Sequence, residues 1–201
     1  MFLKGGPVMW PIFLCSIFAL AIIMERIWYL RKIRIDTRQL LDKILDKMRR
    51  HQIKEALEVC EITKNPLSQI LKAGILKYDR GRPEIKEAIK DAALYEEPQL
   101  ERNMTTLATI AHISPLLGLL GTVLGMVRSF QIIQAKSTAL QAVSPGDLAG
   151  GIWEALLTTV AGLIVAIPAF VAYNYLVSRI SNFLLEMETA STELVNFLAE
   201  Q

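Results

Sequence analysis

The 201-residue chain is 52% hydrophobic and 21% charged, and its formal net charge is only +2. The apolar fraction is high for a soluble domain, and the small net charge, without a basic run interleaved with aromatic residues, argues against nucleic-acid binding. The charges gather after the first apolar run and again after the last one, which indicates a membrane protein with a polar lobe.

The first apolar run, "GGPVMWPIFLCSIFALAIIM", extends from Gly5 to Met24. A bilayer core needs about 20 apolar residues of helix, so we predict a short tail over 1–6 and a transmembrane helix over 7–30. A cleaved signal peptide is the competing interpretation. It is disfavoured because Glu25 and Arg26 follow directly, without a small-residue cleavage pattern.

The segment 31–102 carries much of the charge and predicts a lobe of short helices. Asn65-Pro66 and Gly81-Arg82-Pro83 interrupt its helical pattern. No catalytic, cofactor-binding or metal site is predicted in this segment or elsewhere in the chain, and the charged faces of the segment are interpreted as solvated helix surfaces. One stretch, "TRQLLDKILDKM", places several apolar residues on one helix face: Leu40, Leu41, Ile44, Leu45 and Met48.

Two later apolar runs predict transmembrane helices over 103–135 and 147–178. A short loop over 136–146 joins them, and a C-terminal amphipathic helix over 179–201 continues the last span. The third helix should start at the sequence Ser144-Pro145-Gly146-Asp147. Ser144 suits the N-cap, Pro145 suits the first helical position, and Asp147 completes a box-like spacing.

Cations that flank the spans predict the orientation of the chain. Several Arg and Lys residues follow the first span, Arg102 precedes the second, and Arg179 follows the third. Because cytoplasmic flanks carry the excess of Lys and Arg, we expect the N-terminus outside and both the lobe and the C-terminus in the cytoplasm. Arg128 fits this pattern less well and is interpreted as snorkelling outward from a longer helix.

Small residues recur at steps of three or four in the last two spans and predict close helix packing. Membrane helices associate through close backbone approach across such residues, either within one chain or between copies. Pro115 and Pro168 interrupt the backbone bonding of these spans and predict kinks. The stripes are Ala111, Ser114, Gly118, Thr122, Gly125 and Ser129 in the second span, and Gly151, Ala155, Thr159, Gly162, Ala166 and Ala169 in the third.

A single carboxylate, Glu154, lies at the start of the otherwise uncharged third run. An acid at membrane depth is costly and usually faces a bundle interior or water. The alternative is an acid in the headgroup zone that the helix dipole favours. Thr158 and Thr159 lie one turn deeper, and their hydroxyls either form a polar track or bond back to their own helix. His112 is interpreted as a satisfied polar residue.

Two long stretches resemble the ExbB/TolQ/MotA proton-channel family, and ExbB in particular. They are "PLLGLLGTVLGMVRSF", from Pro115 to Phe130, and "LAGGIWEALLTTVAGLIVAIPAFVAYN", from Leu148 to Asn174. The resemblance covers nearly the whole chain, which has one span fewer at its start than MotA. It implies an all-α membrane protein with three transmembrane helices, long cytoplasmic helical extensions and a helical cytoplasmic lobe, assembling as a ring.

The resemblance also implies a location and partners. The ring is expected to be a pentamer in the bacterial inner (cytoplasmic) membrane, in contact with lipid, with 1–6 and 136–146 periplasmic. A dimer of single-span ExbD/TolR-like proteins would occupy the pore. The chain would not be an enzyme; its ring would couple proton flow to mechanical work on a TonB- or TolA-like protein and so energise outer-membrane transport.

Matched residue by residue, the resemblance assigns Thr122, Glu154 and Thr159 to the proton pathway. This chain has a second threonine, Thr158, directly before Thr159, and we include it in the predicted pathway. Two alternatives stay open: an oligomeric scaffold that anchors partners without conducting ions, and a TolQ-type envelope-constriction motor. The choice between proton and sodium also stays open. The residues predicted to pack the helices are Gly118, Gly125, Gly151, Ala155, Gly162 and Ala166.

Overall fold

The computed structural model describes residues 5–33, 37–63, 65–140, 142 and 144–199. All regular elements in these ranges are α-helices, which confirms the all-α prediction. The predicted tail, loop and C-terminal segment lie partly outside the described residues. The helices are α1 (Met9–Ile33), α2 (Thr37–Arg49), α3 (Ile53–Thr63), α4 (Pro66–Ile75), α5 (Arg82–Leu100), α6 (Met104–Thr138) and α7 (Pro145–Ala199).

Three helical stretches are long and apolar enough to cross a membrane, as the sequence predicted. They lie within Met9–Arg49, Arg82–Thr138 and Leu148–Leu198, and their most apolar windows have mean hydropathies of 1.8, 1.8 and 2.3. Because a bilayer core needs about 20 apolar helical residues, the chain is a multi-pass membrane protein.

The last helix, α7, begins at Pro145, the residue that the sequence analysis placed first in this helix. The side chain of Asp147 lies outside the described residues, so its capping role stays a prediction. Pro115 and Pro168 lie inside α6 and α7, and both helices continue past them. The kinks predicted at these prolines also stay predictions.

The chain divides into two compact units. The first comprises Met1–Arg26 and Asn103–Tyr175, and the second comprises Ile27–Arg102 and Leu176–Gln201. The first unit contains most of α1, all of α6 and the first half of α7. The second contains α2 to α5 and the last part of α7.

The core of the second unit is built from the apolar faces of short helices. The five apolar residues predicted on one face of α2 are all buried. Helix α4 starts where Asn65 caps it: the Leu67 N–H donates to the Asn65 side chain, and the Asn65 N–H donates to the Ser68 hydroxyl, each at 3.0 Å. Leu194 of α7 is fully buried in this unit.

Candidate functional site

In the first unit, α6 and α7 pack with their backbones nearly in contact. A Cβ built on Gly125 would lie 2.5 Å from the Gly151 carbonyl oxygen, and one on Gly162 would lie 2.6 Å from the Ser114 carbonyl oxygen. Only glycine permits this approach, because any larger residue would push the helices apart. All six predicted packing residues lie on the buried faces of the two helices.

The buried stripe differs from the predicted one at two positions. Gly121, not Thr122, is buried on α6, and a Cβ on it would overlap the Thr158 side chain. Thr158, only 1% exposed, is buried more deeply on α7 than Thr159. At 3.6 residues per turn, a step of three or of four keeps a residue near the same face. Gly121, rather than Thr122, lies against α7 because it carries no side chain.

The hydroxyls of the three candidate threonines all donate to backbone carbonyls. Thr122 donates to the Leu119 oxygen at 2.6 Å, and Thr158 donates to the Ala155 oxygen at 2.8 Å. Thr159 instead crosses to α6 and donates to the Gly118 oxygen at 3.1 Å. In the described part of the chain, none of these hydroxyls donates to another or to the Glu154 carboxylate.

These bonds limit which further hydrogen bonds the three hydroxyls can form. A hydroxyl has one proton and two acceptor lone pairs. With its proton committed to a carbonyl, each threonine oxygen can accept a bond from water but has no second proton to donate. Two of the three bond back to their own helix, which was the plainer interpretation of the sequence.

The Glu154 carboxylate is paired with Arg128 of α6. The Arg128 Nη1 donates to Glu154 Oε1 at 2.7 Å and to Oε2 at 2.6 Å. The Glu154 side chain is 15% exposed and that of Arg128 is 54% exposed. Arg128 thus has a partner that the sequence analysis did not name, because its guanidinium turns to an acid on the adjacent helix. Helix α6 continues past Arg128 to Thr138, and the snorkelling of Arg128 toward the outer surface stays a prediction.

Gly6, which precedes α1, lies directly against the same carboxylate. Its φ is +67°, and a Cβ on it would overlap Glu154 Oε1. Sequence reasoning missed both neighbours of Glu154. The available signal for Arg128 was its opposite charge near the adjacent end of the antiparallel helix; for Gly6, it was the Gly5-Gly6 pair before the first helix.

His112 has local partners, in line with its interpretation as a satisfied polar residue. Its Nδ1 lies 2.6 Å from the Ala108 carbonyl oxygen, so this nitrogen carries the proton of the bond. The ring meets the edge of Phe170 with centroids 5.9 Å apart.

A model of the MotA/TolQ/ExbB proton channel family matches residues 62–189. A putative biopolymer transport protein ExbB homolog of Methanothermobacter thermautotrophicus is 32% identical over 189 residues, which cover 94% of this chain and 66% of that protein. Two proteins of Synechocystis are also similar. The putative biopolymer transport protein ExbB-like 3 is 33% identical over 195 residues, covering 96% of this chain and 92% of that protein. The putative biopolymer transport protein ExbB-like 1 is 36% identical over 178 residues, covering 88% of this chain and 69% of that protein.

Proposed function

Because the chain belongs to the MotA/TolQ/ExbB proton channel family, on its ExbB side, we propose that it is the ring-forming subunit of a proton-driven motor in the bacterial inner membrane. Proton flow through the ring would do mechanical work on a TonB- or TolA-like protein spanning the periplasm. The observation that carries this proposal is the α6–α7 contact, which combines a paired carboxylate with three threonine hydroxyls in otherwise apolar helices.

The proposed assembly is a pentamer with an ExbD/TolR-like dimer in its pore. Its support in this chain is the apolar surface of α6 and α7 that one copy leaves open. These side chains can meet lipid or a neighbouring copy, since neither environment requires polar atoms. They include Leu116, Leu119, Val123, Leu156, Ile164, Ile167 and Val171, each more than 40% exposed.

The proposed orientation places the N-terminus in the periplasm and the second unit in the cytoplasm. It rests on the flanking cations. Glu154 would then lie at the outer end of the α6–α7 contact, with Thr158, Thr159 and Thr122 further inward.

In the proposed mechanism, the threonine oxygens accept hydrogen bonds from water along the polar track. Their own protons are held by carbonyls, so they orient water without exchanging protons. The proton-carrying acid would come from the partner dimer, and the ring by itself would be inert. Outer-membrane transport is the proposed task, and envelope constriction of the TolQ type is the alternative task for the same motor.

A scaffold that anchors partners without conducting ions is the second candidate. The close contact of α6 with α7 is compatible with it, because such packing would serve a scaffold as well as a motor. The two candidates differ in what a threonine hydroxyl contributes. In a scaffold, a hydroxyl bonded back to its own helix is almost dispensable.

Thr122→Val tests the motor, because Thr122 bonds only within its own helix and valine nearly conserves its shape. We expect at least about a tenfold loss of proton-driven growth or ligand uptake, equivalent to roughly 1.4 kcal/mol on the limiting barrier. Thr122→Ser is the matched control and should retain most activity. Native mass spectrometry of the purified complex would show that the pentamer and its partner are intact.

Thr159→Val is a less direct test, since it also removes the bond to the Gly118 oxygen across the helix contact. Thr159→Ser is the matched control, because it keeps the hydroxyl and removes only the methyl group. The assembly state of Thr159→Val then shows whether the lost cross-helix bond has weakened the packing. Full activity of both valine variants in an intact complex would refute the polar-track mechanism and favour the scaffold.

A further inference from the structure

Glu154 is held on α7 by groups from two other parts of the first unit. Arg128 of α6 reaches it with a guanidinium nitrogen, and Gly6, before α1, lies on its carboxylate. The sequence places these residues far apart. Among the described residues, Arg128 is the cation that pairs with Glu154, and Gly6 is an uncharged neighbour.

The Arg128 contact is short and uses both carboxylate oxygens. One nitrogen, Nη1, donates at 2.6 Å and 2.7 Å, distances typical of charge-assisted bonds. The carboxylate is mostly shielded while the arginine is about half exposed. An acid shielded in this way depends on its counterion, because water cannot replace it.

Gly6 contributes a close backbone approach. Its positive φ is a conformation that L side chains rarely adopt, and the space that a Cβ would need is occupied by Glu154 Oε1. The Met9 N–H donates to the Gly6 carbonyl at 3.3 Å, which ties this residue to the start of α1. The Gly6 backbone therefore packs directly against one oxygen of the carboxylate.

We propose that Arg128 is a positioning residue for Glu154, and that Arg128 and Gly6 form a clasp that holds the carboxylate in one conformation at the start of the α6–α7 contact. This inference rests on the proposed function, because it assigns a role to the acid of the polar track. In that role the clasp balances the charge of Glu154 and fixes the direction in which its oxygens point.

Infrared spectroscopy of the intact complex tests the clasp without reference to activity. The difference between the wild-type and Glu154→Gln spectra isolates the carboxylate stretch of Glu154. We expect Arg128→Gln and Gly6→Ala to shift this band, and Arg128→Lys to give an intermediate position, since lysine keeps the charge but not the planar guanidinium. Arg50→Gln, at an exposed arginine of the second unit, and Gly150→Ala, whose Cβ would meet nothing within 4 Å, should leave it in place.

A double-mutant cycle on the Tm of the complex gives a second measure. Arg128→Gln should lower the Tm clearly in the wild-type background and much less in the Glu154→Gln background, because the counterion matters only while the acid is present. Equal Tm losses in both backgrounds, or an unshifted carboxylate band in Arg128→Gln, would overturn the clasp.

Activity then distinguishes positioning from a purely structural contact. In complexes that remain assembled, Arg128→Gln should reduce proton-driven uptake at least tenfold and Arg128→Lys should restore part of it. Full uptake by Arg128→Gln with a shifted band would refute the positioning role. A failure of the proposed function is recognised separately, by full activity of both Thr122→Val and Thr159→Val in an intact complex.

Discussion

Two acids and a thiol show how burial and local partners set the charge state of single residues in this chain. Glu154 is shielded but paired with Arg128, so its charge is balanced. Glu61, on the surface of the second unit, has a pKa lowered by its hydrogen bond from Lys72 at 2.8 Å. Cys60, one residue earlier, is fully buried, and that burial raises the pKa of its thiol from 9.0 to about 11.

Cys60 should therefore resist alkylation in the folded protein. The thiolate is the reactive form, and a pKa raised by two units leaves about a hundredfold less of it at pH 8. Its alkylation by iodoacetamide, followed by mass spectrometry in a Cys15→Ser background, should be slow in the native state and rise as the pH approaches 11.

Denaturant is the control for this measurement, because the unfolded chain restores the ordinary thiol pKa and exposes the sulfur. The sign of the linkage also follows: between pH 9 and 11 the unfolded state loses this proton before the native state does, so the free energy of unfolding falls with rising pH. Equal native and denatured rates at pH 8 would contradict the burial of Cys60.

At the scale of elements, α6 and α7 show that a stripe of small residues predicts a contact but not its register. The sequence analysis placed Gly118, Gly125 and Gly162 on the contact face, and they are buried there. It also placed Thr122 in the stripe, where the structure has Gly121. Both choices fit the helical period, so only the shape of the opposing helix separates them.

Gly125→Ala should separate these two helices. The new methyl group would lie 2.5 Å from the Gly151 carbonyl oxygen and 2.9 Å from Ala155 Cβ. Overpacking of this kind costs about 1–3 kcal/mol, so we expect a lower Tm in detergent and reduced recovery of the partner. Gly150→Ala, with open space around its Cβ, is the matched control and should be neutral or stabilising by up to about 1 kcal/mol. Equal Tm values for the two variants would show that α6 and α7 do not pack in this register.

At the scale of the whole molecule, the orientation of the chain in the membrane can be measured directly by cysteine labelling. In a Cys15→Ser background, a cysteine in place of the exposed Lys86 should react with an impermeant maleimide only after the membrane is opened, because the second unit is proposed to be cytoplasmic.

Ala142→Cys is the opposite-side control for this labelling. Ala142 is exposed between α6 and α7, and in intact spheroplasts a cysteine there should be labelled. If the outside reagent labels the Lys86→Cys variant but not the Ala142→Cys variant, the chain has the opposite orientation in the membrane and the proposed topology is wrong. The native Cys60 adds little background because its thiol is buried and protonated.

The sequence by itself determined the helical class, the three apolar stretches, the start of α7 at Pro145 and the buried face of α2. Each depends on local information: hydrophobic period, run length and capping residues act within a few turns of one helix. The family motifs could also be recognised from the sequence, because each is contiguous in the chain.

Only the tertiary structure decided which residues surround Glu154. Arg128 and Gly6 meet the carboxylate because α6, α7 and the segment before α1 are brought together, and no periodicity encodes the reach of an arginine side chain across two helices. The same holds for Thr159, whose hydroxyl bonds to α6 while those of Thr122 and Thr158 bond to their own helices. A hydroxyl's partner depends on which carbonyl lies within about 3 Å, and that distance is set by packing between helices.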